Sequence, residues 1–231
     1  MNFSQVTEVA INEGVVSQII KDGVVLWSAK KARLPKEYQE VEYIKIQNGA
    51  YIDTGFTPAD DTTFYIKVQP YSSYVFGTGQ NPRLAMGLSG EGEGVVYNVT
   101  NGANGTFVYM PLDGTSIEEN IIEVTTYSSA DYCQTWVDDQ TNDGLGPDAG
   151  RYWNMSFTHS MYIGAWWYSA TSTRTGNTDV YAVQAKIGST QYLDLVPCYR
   201  KADNAVGLYN LVNGQFLTNA GSGTMTVGPN V

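Results

Sequence analysis

The sequence predicts an all-β sandwich, and three observations carry that expectation. Short runs rich in β-branched and aromatic residues recur along the chain, and turn residues separate them at close intervals. Apolar positions at helical period are hard to find. With 231 residues the chain accommodates one large sandwich, or a sandwich of about 200 residues with a small appendage; the pattern favours the second. Hydrophobic residues make up 42%, enough for a core, while 24 glycines and 17 tyrosines suit many short strands joined by tight turns.

Residues 1–30 have a pattern of their own. Runs at 6–11, 15–20 and 24–27 are separated by Asn12-Glu13-Gly14 and by Lys21-Asp22-Gly23. Asp-Gly between two such runs signals a tight hairpin, because the turn needs positive φ and glycine adopts it at little cost. The segment reads as a three-strand β meander, too small to bury a stable core alone, so it should lean on another subunit or on the main domain. Residues 31–36, which include Arg33 and Pro35, read as a linker.

From 37 to 231 strands and turns alternate to the end. The stretch 38–46 is apolar on Tyr38, Val41, Tyr43 and Ile46, an imperfect alternation. Strand-like runs follow at 50–56, 62–68, 74–77, 83–88, 94–99, 106–110, 121–127 and 132–137, then at 160–166, 180–187, 191–199, 206–210 and 215–217. Turn signals at this spacing with no intervening helix are those of a sandwich.

The formal charge is −10, and residues 1–45 hold six Lys/Arg against six Asp/Glu, so the whole excess lies beyond them. Residues 84–150 contain eleven acidic residues and no Lys or Arg. Such a surface repels phosphate and argues against a nucleic-acid partner. No apolar run approaches the roughly 20 residues of a membrane span. Residues 1–14 lack the basic and apolar regions of a secretory signal, so the chain is expected to stay soluble where it is made. Cys133 and Cys198 are read as free and buried, since nothing in the sequence brings them together.

Two blocks match a known pattern. LPKEYQEVEYI at 34–44, followed by AYIDTGF at 50–56, resembles the opening strands of concanavalin A-like lectin/glucanase (laminin-G-like) domains of phage and prophage proteins. LVPCYRKADNAVGLYNLVNGQF at 195–216 resembles the closing strands of the same domains. The meander ending in Val24-Val25-Leu26-Trp27 resembles, more faintly, the leader modules of phage structural proteins. The resemblance implies a concanavalin A-like jelly roll and association with a virion, with residues 1–30 contacting other virion proteins. It implies no particular ligand, because one sandwich serves many functions.

Related glucanases carry a Glu-x-Asp-x-x-Glu arrangement that sets two acids on one strand face, and it is absent here. The nearest acids, Glu118-Glu119 with Glu123 and Asp138-Asp139, contain adjacent residues that point to opposite faces of a strand. His159 is the only histidine, which leaves no nucleophile-and-base system and no histidine-rich metal centre. The chain is therefore expected not to be an enzyme. Asp138, Asp139, Asn142, Asp143 and Asp148 place five hard-oxygen side chains in a glycine-rich stretch. That is calcium chemistry without EF-hand spacing; a solvated acidic loop is the alternative. Tyr152-Trp153 and Trp166-Trp167-Tyr168 flank stretches rich in Gly, Ser, Thr and Asn. They are read as a glycan-stacking surface, or else as core, with alternation turning one of Trp166 and Trp167 inward.

The combined expectation is a virion decoration or appendage protein, homo-oligomeric, displaying a non-catalytic glycan-binding jelly roll on the particle surface. A free carbohydrate-binding module and a degenerate glucanase are the alternatives.

Overall fold

The computed structural model describes residues 32–59, 61–72, 74–79, 84–87, 157–166 and 173–231 in full, and elsewhere the backbone of the strands named here. In chain order these are β1 (Glu8–Asn12), β2 (Val15–Lys21), β3 (Val24–Ser28), β4 (Tyr38–Glu40), β5 (Ile44–Gln47), β6 (Ile52–Asp53), β7 (Thr62–Pro70) and β8 (Phe76–Thr78). Next come β9 (Arg83–Leu88), β10 (Gly94–Asn101), β11 (Asn104–Pro111), β12 (Ile122–Ser128), β13 (Cys133–Val137), β14 (Gln140–Asn142), β15 (Tyr162–Ile163) and β16 (Ala165–Ser169). The chain ends with β17 (Ser172–Thr175), β18 (Thr178–Ile187), β19 (Thr190–Arg200), β20 (Ala205–Asn210), β21 (Phe216–Thr218) and β22 (Thr224–Val227). No helix among the described residues is long and apolar enough to cross a membrane.

The chain divides into two compact units, Met1–Pro35 and Lys36–Val231. The first is the antiparallel sheet β1-β2-β3. Its register pairs Val9 with Ile19 and Ile19 with Trp27, and a bulge then pairs Ile11 with Val16.

The second unit contains a six-stranded sheet, β11-β10-β9-β8-β15-β6, and an eleven-stranded one. The large sheet runs β14-β13-β12-β7-β18-β19-β20-β21, with β4 beside β19 and with β5 joining β18 to β22. Every pairing is antiparallel. In β7 the sequence TTFYIKVQP buries Thr62, Phe64, Ile66, Val68 and Pro70, leaving Thr63, Tyr65, Lys67 and Gln69 on the other face. Phe64 lies 5.6 Å from Phe76 of the smaller sheet and meets Phe56 edge-on at 6.0 Å. Ile44, Ile46, Val180 and Val183 of the large sheet and Ile52, Leu84, Met86 and Ile163 of the small one complete the core. Each such side chain contributes about 1.5–3 kcal/mol by burial. The all-β jelly-roll sandwich expected from the sequence is the fold observed.

Three departures have local causes. The stretch 38–46 is two strands, because β4 pairs with β19 whereas β5 pairs with β18 and β22; its imperfect alternation marks the break. The stretch 160–166 divides at Gly164, where φ is +78° and an added Cβ would stand 2.5 Å from Cγ2 of Ile46. Only glycine serves there. Finally, β22 runs back along β5, and residues 228–231 continue along 40–43, with Val41 bridged to Asn230.

Candidate functional site on the outward face of the large sheet

Alternation that turns one side of β7 to the core turns Thr63, Tyr65, Lys67 and Gln69 outward. On β18 a bulge between Val180 and Ala182 keeps Val180, Val183 and Ala185 inward, so Asp179, Gln184 and Lys186 stand outward beside their β7 partners. Gln184 faces Tyr65, and Lys186 faces Thr63. At this end a cleft of about 270 Å³ is lined by Thr63, Tyr65, Gln184, Ala185, Lys186 and Gln191. Gln184 Nε2 donates a 3.1 Å hydrogen bond to Asp194 Oδ1, and Gln191 Nε2 donates to the Leu193 carbonyl. Amides held in this way are oriented polar groups beside a phenol ring, an arrangement suited to a hydroxyl-rich ligand.

At the other end of β18 lies a carboxylate among tyrosines. Asp179 is 2% exposed. Its Oδ2 accepts a hydrogen bond from Tyr71 Oη at 3.2 Å and sits 3.1 Å from Lys45 Nζ. The ammonium lies 5.3 Å from the centre of the Tyr43 ring, and Tyr43 packs on Tyr181 at 5.1 Å. Burial, then the charge of Asp179, push the Tyr71 and Tyr181 phenols up to about 12. Tyr71 itself is 40% exposed.

The residues singled out from the sequence are described only in part. Trp166 is 4% exposed and stacks on Tyr74 at 6.1 Å, so this ring acts in packing. Arg174 donates to Tyr74 Oη at 3.0 Å over the same stack. Trp167 and Tyr168 lie on β16, with Trp167 opposite Thr173, and their side chains are outside the described residues. Tyr152, Trp153, Asp138, Asp139, Asp143 and Asp148 also lie outside them. Asn142 belongs to β14, opposite Thr135 on β13, a strand rather than the loop expected. Among the described residues no cluster of three His, Cys, Asp or Glu is placed to hold a metal. His159 Nδ1 lies 3.0 Å from Thr158 Oγ1.

No protein-family model matches the chain, and neither does any curated protein. Solved structures with a similar fold include domains LG4-5 of the mouse laminin α1 chain, at 13% identity and a TM-score of 0.47 over 81% of this chain and 55% of that one. The chain thus spans about half the length of that laminin structure. Another is the galectin LEC-6 of Caenorhabditis elegans, at 12% identity and a TM-score of 0.37, covering 65% and 96%. A candidate β-glucanase from Mycobacterium abscessus matches at 12% identity with a TM-score of 0.38, covering 62% and 73%. All three are concanavalin A-like jelly rolls. At such identities and TM-scores the likeness assigns no role to this chain.

Proposed function

We propose that this chain is a non-catalytic, glycan-binding jelly roll carried on a bacteriophage particle as a decoration or appendage protein. The observation that carries the glycan reading is the outward face of the large sheet, where a cleft of about 270 Å³ joins Tyr65 to the oriented amides of Gln184 and Gln191. The virion reading rests on the sequence resemblance at 34–56 and 195–216, and on a separate first unit able to serve for attachment.

The spacing of acids along these strands supports binding without hydrolysis. Glu123, opposite Lys67 on β12, and Asp194, on β19, are three strand spacings apart, about 14 Å. Asp179 is tied to Lys45 and Tyr71, and lies five residues along β18 from the partner of Asp194, about 16 Å. Glycosidase pairs stand about 5–9.5 Å apart. A second reading puts the sugar on the loop aromatics Tyr152, Trp153, Trp167 and Tyr168, with calcium held by Asp138, Asp139, Asn142, Asp143 and Asp148.

Glycan-array binding by multivalent particles, with a parallel assay for released reducing ends, tests both. The expected result is binding without turnover, weakened by Gln184→Ala and unaffected by Trp153→Ala or a calcium chelator. Loss on Trp153→Ala or chelation would favour the loop reading, and turnover abolished by Glu123→Gln would sink the non-catalytic one.

A further inference from the structure

The two outward clusters lie on one line. Asp179 faces Gln69 and Gln184 faces Tyr65, so the tyrosine cluster and the cleft are four residues apart on β7 and five on β18. At a strand rise of about 3.3 Å per residue this is a separation of about 13–16 Å. Between them the floor is formed by Ala182, whose methyl leaves room, and Lys67, its register partner. Both ends present a phenol ring with a hydrogen-bonding group beside it: Tyr65 with Gln184 and Gln191 at one, and Tyr71 with Lys45 at the other.

We propose that the ligand is an extended oligosaccharide laid along β18, contacting the Tyr65–Gln184 cleft with one end and the Tyr71–Lys45 cluster with the other. This rests on the glycan reading and narrows it, because a monosaccharide fills one cluster and cannot reach the second. Asp179 is the positioning residue of the distal end. Buried at 2% exposure, it touches no ligand; it holds the Tyr71 hydroxyl and the Lys45 ammonium from below. A phenol ring for stacking together with a few fixed donors is the usual composition of such a subsite.

The test measures affinity of the full chain for linear gluco-oligosaccharides and N-acetylglucosamine oligomers, from monosaccharide to hexasaccharide, by calorimetry or array titration. In the wild type, affinity should rise about tenfold or more between disaccharide and tetrasaccharide and then level off; a tenfold gain corresponds to about 1.4 kcal/mol. Tyr71→Ala, at an exposed position, should remove that gain while leaving disaccharide binding at the cleft intact. Gln184→Ala should weaken every length. Asp179→Asn should act as a milder Tyr71→Ala, and its near-ultraviolet circular dichroism reports whether the tyrosine cluster has shifted. Affinity independent of length, or a hexasaccharide indifferent to Tyr71→Ala, would overturn the extended-ligand proposal and leave glycan binding standing. Absence of binding to any oligomer would remove both.

Discussion

At the scale of single residues, Asp179 does most to define the outward face. Two neighbouring strands and the start of the connection after β7 converge on it: it pairs with Gln69 on β7 and with Lys45 on β5, and receives the hydroxyl of Tyr71. Breaking such a buried, charge-assisted contact leaves desolvated groups behind, so Asp179→Asn should destabilise by about 1–3 kcal/mol. Its charge also acts on the phenols. Tyr71 and Tyr181 are raised to about 12 from a usual 10, chiefly by burial and then by Asp179. The sign follows from linkage. Both phenols stay protonated in the folded state while the unfolded chain ionises near 10, so their stabilising contribution is whole below about pH 10 and is lost as pH rises towards 12. Tyrosinate absorbance should therefore show a late-titrating component in the wild type that Tyr71→Phe reduces and Asp179→Asn moves to lower pH. A single wild-type transition near pH 10 would contradict this. In the sequence Asp179 carries no mark beyond its type, because its significance arises from Lys45 and Tyr71, both more than a hundred residues away along the chain.

At the scale of elements, the sheet order decides a question the sequence leaves open. Cys133 is on β13 and Cys198 on β19, with β12, β7 and β18 between them. Four strand spacings amount to about 19 Å, far beyond the roughly 7 Å limit for Cα atoms of a disulfide. Cys198 is free and buried, and burial raises its thiol to about 12. Native protein should therefore show no intramolecular bridge by mass, and alkylation of Cys198 should wait for denaturation; rapid labelling in native buffer would contradict the burial. Strand positions were legible wherever alternation was strong, as in β7, whose TTFYIKVQP is read at 62–68 and observed at Thr62–Pro70. Elements without apolar alternation, or too short to display it, were not: β17 is STRT, β14 is QTN, and β22, TMTV, alternates over only four residues. Each is specified by its partner, respectively β16, β13 and β5, rather than by its own composition. The same reasoning explains the site. Aromatic pairs such as Trp166-Trp167 stand out in a sequence, yet Trp166 is buried, whereas the cleft joins residues of β7, β18 and β19 that are individually unremarkable.

At the scale of the whole molecule, charge is segregated between the two units. Residues 1–35 carry four Lys/Arg and three Asp/Glu, whereas residues 36–231 carry nine and twenty, so the sandwich unit alone has a formal charge of −11. Copies of a body with that charge repel one another. We therefore expect association to fall to the first unit, whose formal charge is near neutral. A unit below about 40 residues needs a disulfide, a metal or association to be stable, and this one has neither Cys nor His. Glycan binding of the kind proposed, with Kd of about 1 mM, or about 4 kcal/mol, would also require many copies on one particle to be useful. We therefore predict that a chain beginning at Lys36 folds with the thermal transition of the sandwich, since the residue 36 and 37 carbonyls already accept bonds from Lys201. It should be monomeric by light scattering, absent from assembled particles, and equal to the full chain in affinity for a soluble oligosaccharide. Retained oligomers or full particle occupancy after this truncation would place the associating surface on the sandwich and remove the role assigned to residues 1–35.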